Sequence, residues 1–245
     1  MGNIKQAMQW KSKLGKSRPG KPTPAQLGLT ADEGHILRAL RTPRHIQEFL
    51  VSVPTNFETS GASLLSVRGV LRQRHAHCIE AAFLAACALW LQGERPLLMD
   101  LQAKGDSDHV VALFRHDGCW GAISKSNHVW LRWRDPIYRS LRELAMSYFH
   151  EYVHAERKTL RTYSRAFDLS RYAPEDWITN ADHCWQVGAD LDDTRHYSLI
   201  TPAQARRLAP RDSMELRADD LVQFDSTDRA LARRFRRSGS RRHRR

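Results

Sequence analysis

From Ala81 to Leu91 the chain runs AAFLAACALWL without one charged residue, and Gly93 follows two positions later. A helix that is apolar on every side must be enclosed by neighbours rather than laid on a surface. Glycine just past its end supplies the left-handed cap that other residues adopt only with strain. The fold is therefore expected to be built around this segment. Cys78 falls in the first turn of that helix, directly after a polar approach containing His75 and His77.

The flanking signals describe what encloses it. Thr30 and Glu33 have capping-box spacing and open a helix through about Leu40. Thr42-Pro43 starts another with Ile46, Phe49 and Leu50 inward, and a short helix over 66–72 precedes the central one at 77–92. Beyond Gly93, Pro96 to Leu101 reads as a short buried strand. HVVALFR (109–115) and CWGAIS (119–124) are strand-like runs joined by Asp117-Gly118, a strong hairpin signal. Asp135-Pro136 is expected to open a long amphipathic helix burying Leu141, Leu144, Ala145, Tyr148, Phe149 and Tyr152. Thr201-Pro202 with Gln204 starts a short helix, and Leu221 to Phe224 reads as an edge strand.

Charge divides the chain into three parts. The net charge is +12, yet residues 1–21 hold six lysines and arginines with no acid, and 229–245 hold nine arginines with no acid. The body between them is mildly acidic. Residues 1–24 therefore read as a basic lead-in, 25–228 as the folded domain and 229–245 as a disordered Arg-rich tail. The tail lacks interleaved aromatics beyond Phe235, so polyanion contact through it is expected to be non-specific and salt-dependent. The basic start is not followed by an apolar run of a secretory signal's length, and 81–91 is far shorter than the roughly 20 residues that span a bilayer. Four cysteines (78, 87, 119, 184) without such a signal suggest reduced thiols in a cytoplasmic protein. No cofactor motif is visible, and the H-x-H-C spacing around Cys78 fits no usual zinc module.

The order helix, strand, hairpin permits thiol chemistry. A thiol in a helix's first turn feels the positive end of the helix dipole and unpaired N–H groups, which favour the nucleophilic thiolate. Such a thiol needs a base within reach, and the base needs an orienting group. His109, at the start of a strand after an acidic loop, is the candidate base. With Asp117-Gly118 as the two loop residues, His109 faces Ser126 and Val111 faces Ser124, all on one side of the hairpin. Asn127 points to the other side unless a bulge intervenes, although its amide oxygen would orient an imidazole better. Ser124, Ser126 and Asn127 thus all stand as candidates, while Cys87 reads as core, Cys119 as hairpin packing, and His75 and His77 as groups that solvate the helix entrance or raise positive potential beside Cys78.

HCIEAAFLAACALWLQG, LLMDLQ, DSDHVVALFR and CWGAISKSN, in that order, resemble the core of the transglutaminase-like superfamily over roughly residues 60–127. RDPIYRSLRELAMSYFHEY and KTLRTYSRAFDL extend the likeness to a bacterial branch of it. The resemblance implies an α+β fold with a papain-like core, in which a central buried helix packs on a small antiparallel sheet with extra flanking helices. It implies Cys78 as nucleophile and His109 as base, attacking an amide-type carbonyl of a protein or peptide through an acyl-thioester. The superfamily usually places Asp about four residues past the tryptophan of the second strand. Here that position is Ser124, and no carboxylate occurs between Gly118 and Arg134. The other expectations are a catalytically silent peptide- or protein-binding module, or a nucleic-acid-associated protein acting through its basic ends.

Overall fold

A computed structural model describes residues 20–225. The Arg-rich tail and most of the basic lead-in lie outside the described residues. The helices, in chain order, are α1 (Ala31–Ala39), α2 (Pro43–Ser52), α3 (Val67–Gln73), α4 (Cys78–Gln92), α5 (Leu141–Met146), α6 (Pro174–Trp177), α7 (Trp185–Asp192), α8 (Pro202–Ala205) and α9 (Ser213–Asp219). The strands are β1 (Leu97–Ala103), β2 (His109–His116), β3 (Cys119–Ile123), β4 (Arg134–Tyr138), β5 (Val153–His154), β6 (Arg157–Lys158), β7 (Leu160–Ser164), β8 (Phe167–Asp168) and β9 (His196–Ser198). The chain is α+β, with an antiparallel sheet ordered β4-β3-β2-β1-β7-β9, β8 pairing with the start of β1, and β5-β6 standing apart.

The uncharged run behaves as its composition demands. Every residue from Glu80 to Leu91 is buried, and α4 packs on β2 while α1, α2 and α3 cover its other sides. Gly93 closes it at φ +102, its N–H bonded to the carbonyls of Leu89 and Trp90. The sheet is covered on both faces, which is why its strands are apolar without strict alternation. Leu98, Val110, Ala112, Phe114 and Ile123 join the core around α4. Leu97, Met99, Leu101, Val111, Leu113 and Ala122 pack on the opposite side against Leu144, Ala145, Tyr148, Phe149 and Tyr152.

The hairpin has the expected register, from His116 opposite Cys119 to Ala112 opposite Ile123. Asp117 and Gly118 both take positive φ, at 48 and 81, as a two-residue turn of this hand requires. Past Ile123 the ladder stops. The Gln47 side chain on α2 takes over both backbone groups of Ser124, accepting from its N–H at 3.0 Å and donating to its carbonyl at 2.8 Å. The extrapolated pairing of His109 with Ser126 is therefore not formed.

Two other expectations are corrected. Asp135-Pro136 opens no helix; it lies in β4, the edge strand beside β3, where Pro136 can stand without a ladder N–H. The helix begins later, capped by the Ser140 hydroxyl accepting from Glu143 N–H at 3.1 Å, and ends at Met146. Tyr148, Phe149 and Tyr152 are buried as expected, but on the turn beyond it and just after that turn. Leu221 to Phe224 forms no strand beyond a single bridge between Val222 and His128.

Gly121 marks how tightly the outer strands meet. A Cβ there would collide with the Phe114 ring and approach the Arg134 carbonyl oxygen to 2.9 Å. Gly121→Ala is expected to destabilise the fold by about 1–3 kcal/mol, as overpacking does, read as a lowered urea midpoint with unchanged slope.

Candidate functional site

Cys78 stands at the first position of α4 in a groove of about 330 Å³. His109, Asp106, Asp108, Lys125, Leu131 and Tyr152 also line it. The thiol sits next to the start of β2, its sulfur 4.0 Å from the Asp108 carbonyl oxygen. His109 belongs to the sheet face opposite α4, because it pairs with Leu101 and shares that residue's side. It meets the thiol only because β2 begins there and the ring reaches past the end of the sheet. Its flanks rest edge-on against Tyr148 and Tyr152, with centroids 6.5 and 6.4 Å away. Tyr152 is itself fixed by donating its hydroxyl proton to the Ser107 carbonyl.

One ring nitrogen of His109 is fully engaged. Nε2 lies 2.5 Å from Ser124 Oγ and 3.1 Å from the Leu131 carbonyl oxygen, and Ser124 Oγ donates to that same carbonyl at 2.9 Å. With the serine proton committed, Nε2–H is the donor, which leaves Nδ1 as the nitrogen free to serve the thiol. Cys78, His109 and Ser124 are thus brought together. Ser126 is not part of the set: its hydroxyl accepts from His128 N–H at 3.1 Å. Nor is Asn127, whose side-chain amide donates to the Phe224 carbonyl at 2.7 Å and accepts from Phe224 N–H at 2.8 Å. The stronger orienting group is spent on tethering the C-terminal segment.

A second imidazole is the unexpected member. His77 Nε2 lies 3.2 Å from Glu80 Oε1 and 3.0 Å from the Ser63 carbonyl oxygen. Glu80 has no exposed surface, and it also accepts from Asn56 Nδ2 at 3.1 Å, Ser63 Oγ at 2.8 Å, Leu65 N–H at 2.9 Å and His77 N–H at 2.9 Å. Burial alone would raise its pKa, but the His77 hydrogen bond and charge and these donors bring it to about 2. Burial would likewise discharge His77, yet hydrogen bonds to Cys78 and Glu80 hold it protonated up to about 11. Burial pushes the Cys78 thiol up; hydrogen bonds from His109 and His77, with their charge, more than offset this and place it at about 5. The thiol is therefore a thiolate at neutral pH, beside a histidine that is a standing cation and a second imidazole whose Nδ1 is uncommitted.

The sequence held one signal for this arrangement. Glu80 is the sole charge between Cys78 and Leu91, three residues past His77. Lys125 was not anticipated either. It is 4% exposed, donates to the carbonyls of Leu50 and Val53 at the end of α2, and is lowered to about 8 by burial and then by the charge of Arg132. Cys87 and Cys184 differ from Cys78: burial pushes Cys87 upward and Cys184 to about 12, and all four cysteines are free. His183 accepts from Leu64 N–H at 3.0 Å and serves the fold. Among the described residues no group of three or more His, Cys, Asp or Glu could hold a metal ion, and no helix is long and apolar enough to cross a membrane. No family model matches the chain, and no curated protein is similar to it.

Alkylation by iodoacetamide, followed at each cysteine by peptide mass spectrometry, should show half-maximal thiolate reactivity at Cys78 near pH 5. In Glu80→Gln, His77 loses its counter-charge and that midpoint should rise by a unit or more. Glu80→Ala should cost about 3–5 kcal/mol in urea unfolding, because it strands buried donors and an imidazolium. The sign with pH is fixed: a Glu lowered from 4.5 to about 2 contributes fully above about 4.5 and loses its contribution as pH falls towards 2. His77, raised from 6.5 to about 11, contributes fully below 6.5 and loses its share as pH climbs towards 11.

Proposed function

We propose that the chain is a transglutaminase-like cysteine enzyme with a papain-like core. It would attack an amide-type carbonyl of a protein or peptide and form an acyl-thioester at Cys78. The observation that carries this reading is the thiol at a helix start, held at about 5 between two imidazoles in an open groove. Perturbed groups of this kind concentrate where chemistry is done. The succession of Cys-bearing helix and His-led strand supports the family likeness, and four free thiols fit a cytoplasmic setting.

In this mechanism Cys78 Sγ attacks the carbonyl carbon, and the C–N bond breaks after a tetrahedral intermediate. His109 Nδ1 carries the proton that the leaving amine receives, then takes one from the incoming water or amine. Ser124 and the Leu131 carbonyl hold the ring in that tautomer, the role a carboxylate usually has. The backbone N–H of Cys78, in the first turn of α4, and the His77 imidazolium would be the groups available to stabilise the developing negative charge. His77 is not the base, since it stays protonated up to about 11.

A hydroxyl and a carbonyl behind His109, in place of a carboxylate, favour one other reading: a silent module that binds peptide in the same groove. p-Nitrophenyl acetate separates the two. The enzyme should release p-nitrophenolate in a burst and carry the acetyl group on Cys78, with His109→Ala slowing acylation by about 10²–10⁴. Acetylation spread over Cys78 and Cys119 alike, and unchanged in His109→Ala, would sink the catalytic reading.

A further inference from the structure

The groove that holds Cys78 has a larger neighbour. It is a groove of about 940 Å³, framed by β6, β7, β9 and the segment that carries α8. Lys104, Arg157, Lys158, Arg161 and Arg206 line it, against one carboxylate, Glu156. Five arginines elsewhere in the described chain are ion-paired: Arg44 with Glu48, Arg68 with Glu33, Arg95 with Asp168, Arg134 with Glu151 and Arg211 with Asp219. None of the five groove cations makes an ion pair among the described residues. Arg161 and Lys158 spend donors on backbone carbonyls that shape the wall, at 2.7 Å to Leu160 and 3.1 Å to Ala209. Lys104, Arg157 and Arg206 are exposed. Like charges gathered without counter-charge repel one another, and an anion in the groove removes that cost.

We propose that this groove docks a carboxylate-rich polypeptide segment, the acidic flank of the substrate whose carbonyl Cys78 attacks; the assignment rests on the catalytic reading above. Three observations select this occupant. No aromatic side chain lines the groove, so a nucleic acid would find no stacking surface. Ile200 and Leu208 offer apolar contact for the stems of acidic side chains, which a bare inorganic anion could not use. The groove also shares a wall with the catalytic one. Thr159 and Lys104 line the basic groove, while Asp106 and Tyr152 line the groove of Cys78. Thr159 joins them, donating from Oγ1 to Asp106 Oδ2 at 2.7 Å and from its N–H to the Tyr152 carbonyl at 3.0 Å, and accepting from Lys104 N–H at 2.9 Å. A chain lying across this turn would reach both grooves.

The test uses the full chain, basic ends included, so that any background they contribute is common to every variant. Fluorescein-labelled hexaglutamate is followed by anisotropy at low salt. Arg157→Glu with Arg206→Glu should weaken binding about tenfold or more, whereas Arg38→Glu with Arg72→Glu, an equal charge change at exposed sites on α1 and α3, should not. Equal loss in both pairs, or none in either, would assign the binding to net charge or to the ends and overturn the groove. A single-stranded oligonucleotide or inorganic polyphosphate that binds more tightly than the peptide, with the same dependence on Arg157 and Arg206, would overturn the polypeptide assignment. Acetylation of Cys78 by p-nitrophenyl acetate should be unchanged in Arg157→Glu with Arg206→Glu, so failure of docking and failure of the catalytic reading are told apart.

Discussion

A single carboxylate, Glu80, lies fully buried in the first turn of the central helix and accepts hydrogen bonds from Asn56, Ser63, Leu65 and His77. An ion buried this deeply is tolerated only when its acceptor sites are filled and a partner charge stands close by. The donors come from the loop ahead of α3 and from the residue that caps α4, so satisfying Glu80 fixes the approach to Cys78. The same carboxylate keeps His77 charged, and His77 in turn helps hold Cys78 as a thiolate. The structural staple and the electrostatic setting of the Cys78 thiol are one interaction.

This division of labour explains why two histidines meet one thiol without being redundant. His77 is bound to a carboxylate and cannot give up its proton near neutrality, so it supplies charge. His109 has a hydroxyl and a carbonyl on Nε2, neutral partners that orient the ring and leave Nδ1 uncommitted. The carboxylate absent behind the second strand is present on the other side of the thiol, in the helix that carries Cys78.

The sheet determines how these parts converge. Its two faces are both covered, with α4 on one side and the Tyr148–Tyr152 segment on the other. His109 and Cys78 therefore approach from different layers and can meet only at the strand start. The groove lies at that end of the sheet, and the turn over residues 104–108 forms one of its rims and a partition from the basic groove beyond.

Much of this was written locally. The buried helix follows from eleven uncharged residues and a glycine, and the hairpin register follows from Asp117-Gly118 because a two-residue turn fixes which side chains face each other. Cys78 and His109 could be singled out because each sits at an element boundary, and boundaries are what sequence marks best. Other features depended on partners far along the chain. Pro136 looked like a helix start, but β3 offered it an edge to lie against. Asn127 looked like the better orienter, but Phe224, ninety-seven residues away, claimed both its amide groups. Gln47 ended the ladder at Ile123 and so gave His109 to Ser124 rather than to Ser126. The sequence by itself determined which elements form and where a nucleophile could stand, because periodicity and turn chemistry act over a few residues. Only the tertiary structure decided which polar groups meet, because a buried hydrogen bond is settled by whichever distant partner reaches the site with the right geometry.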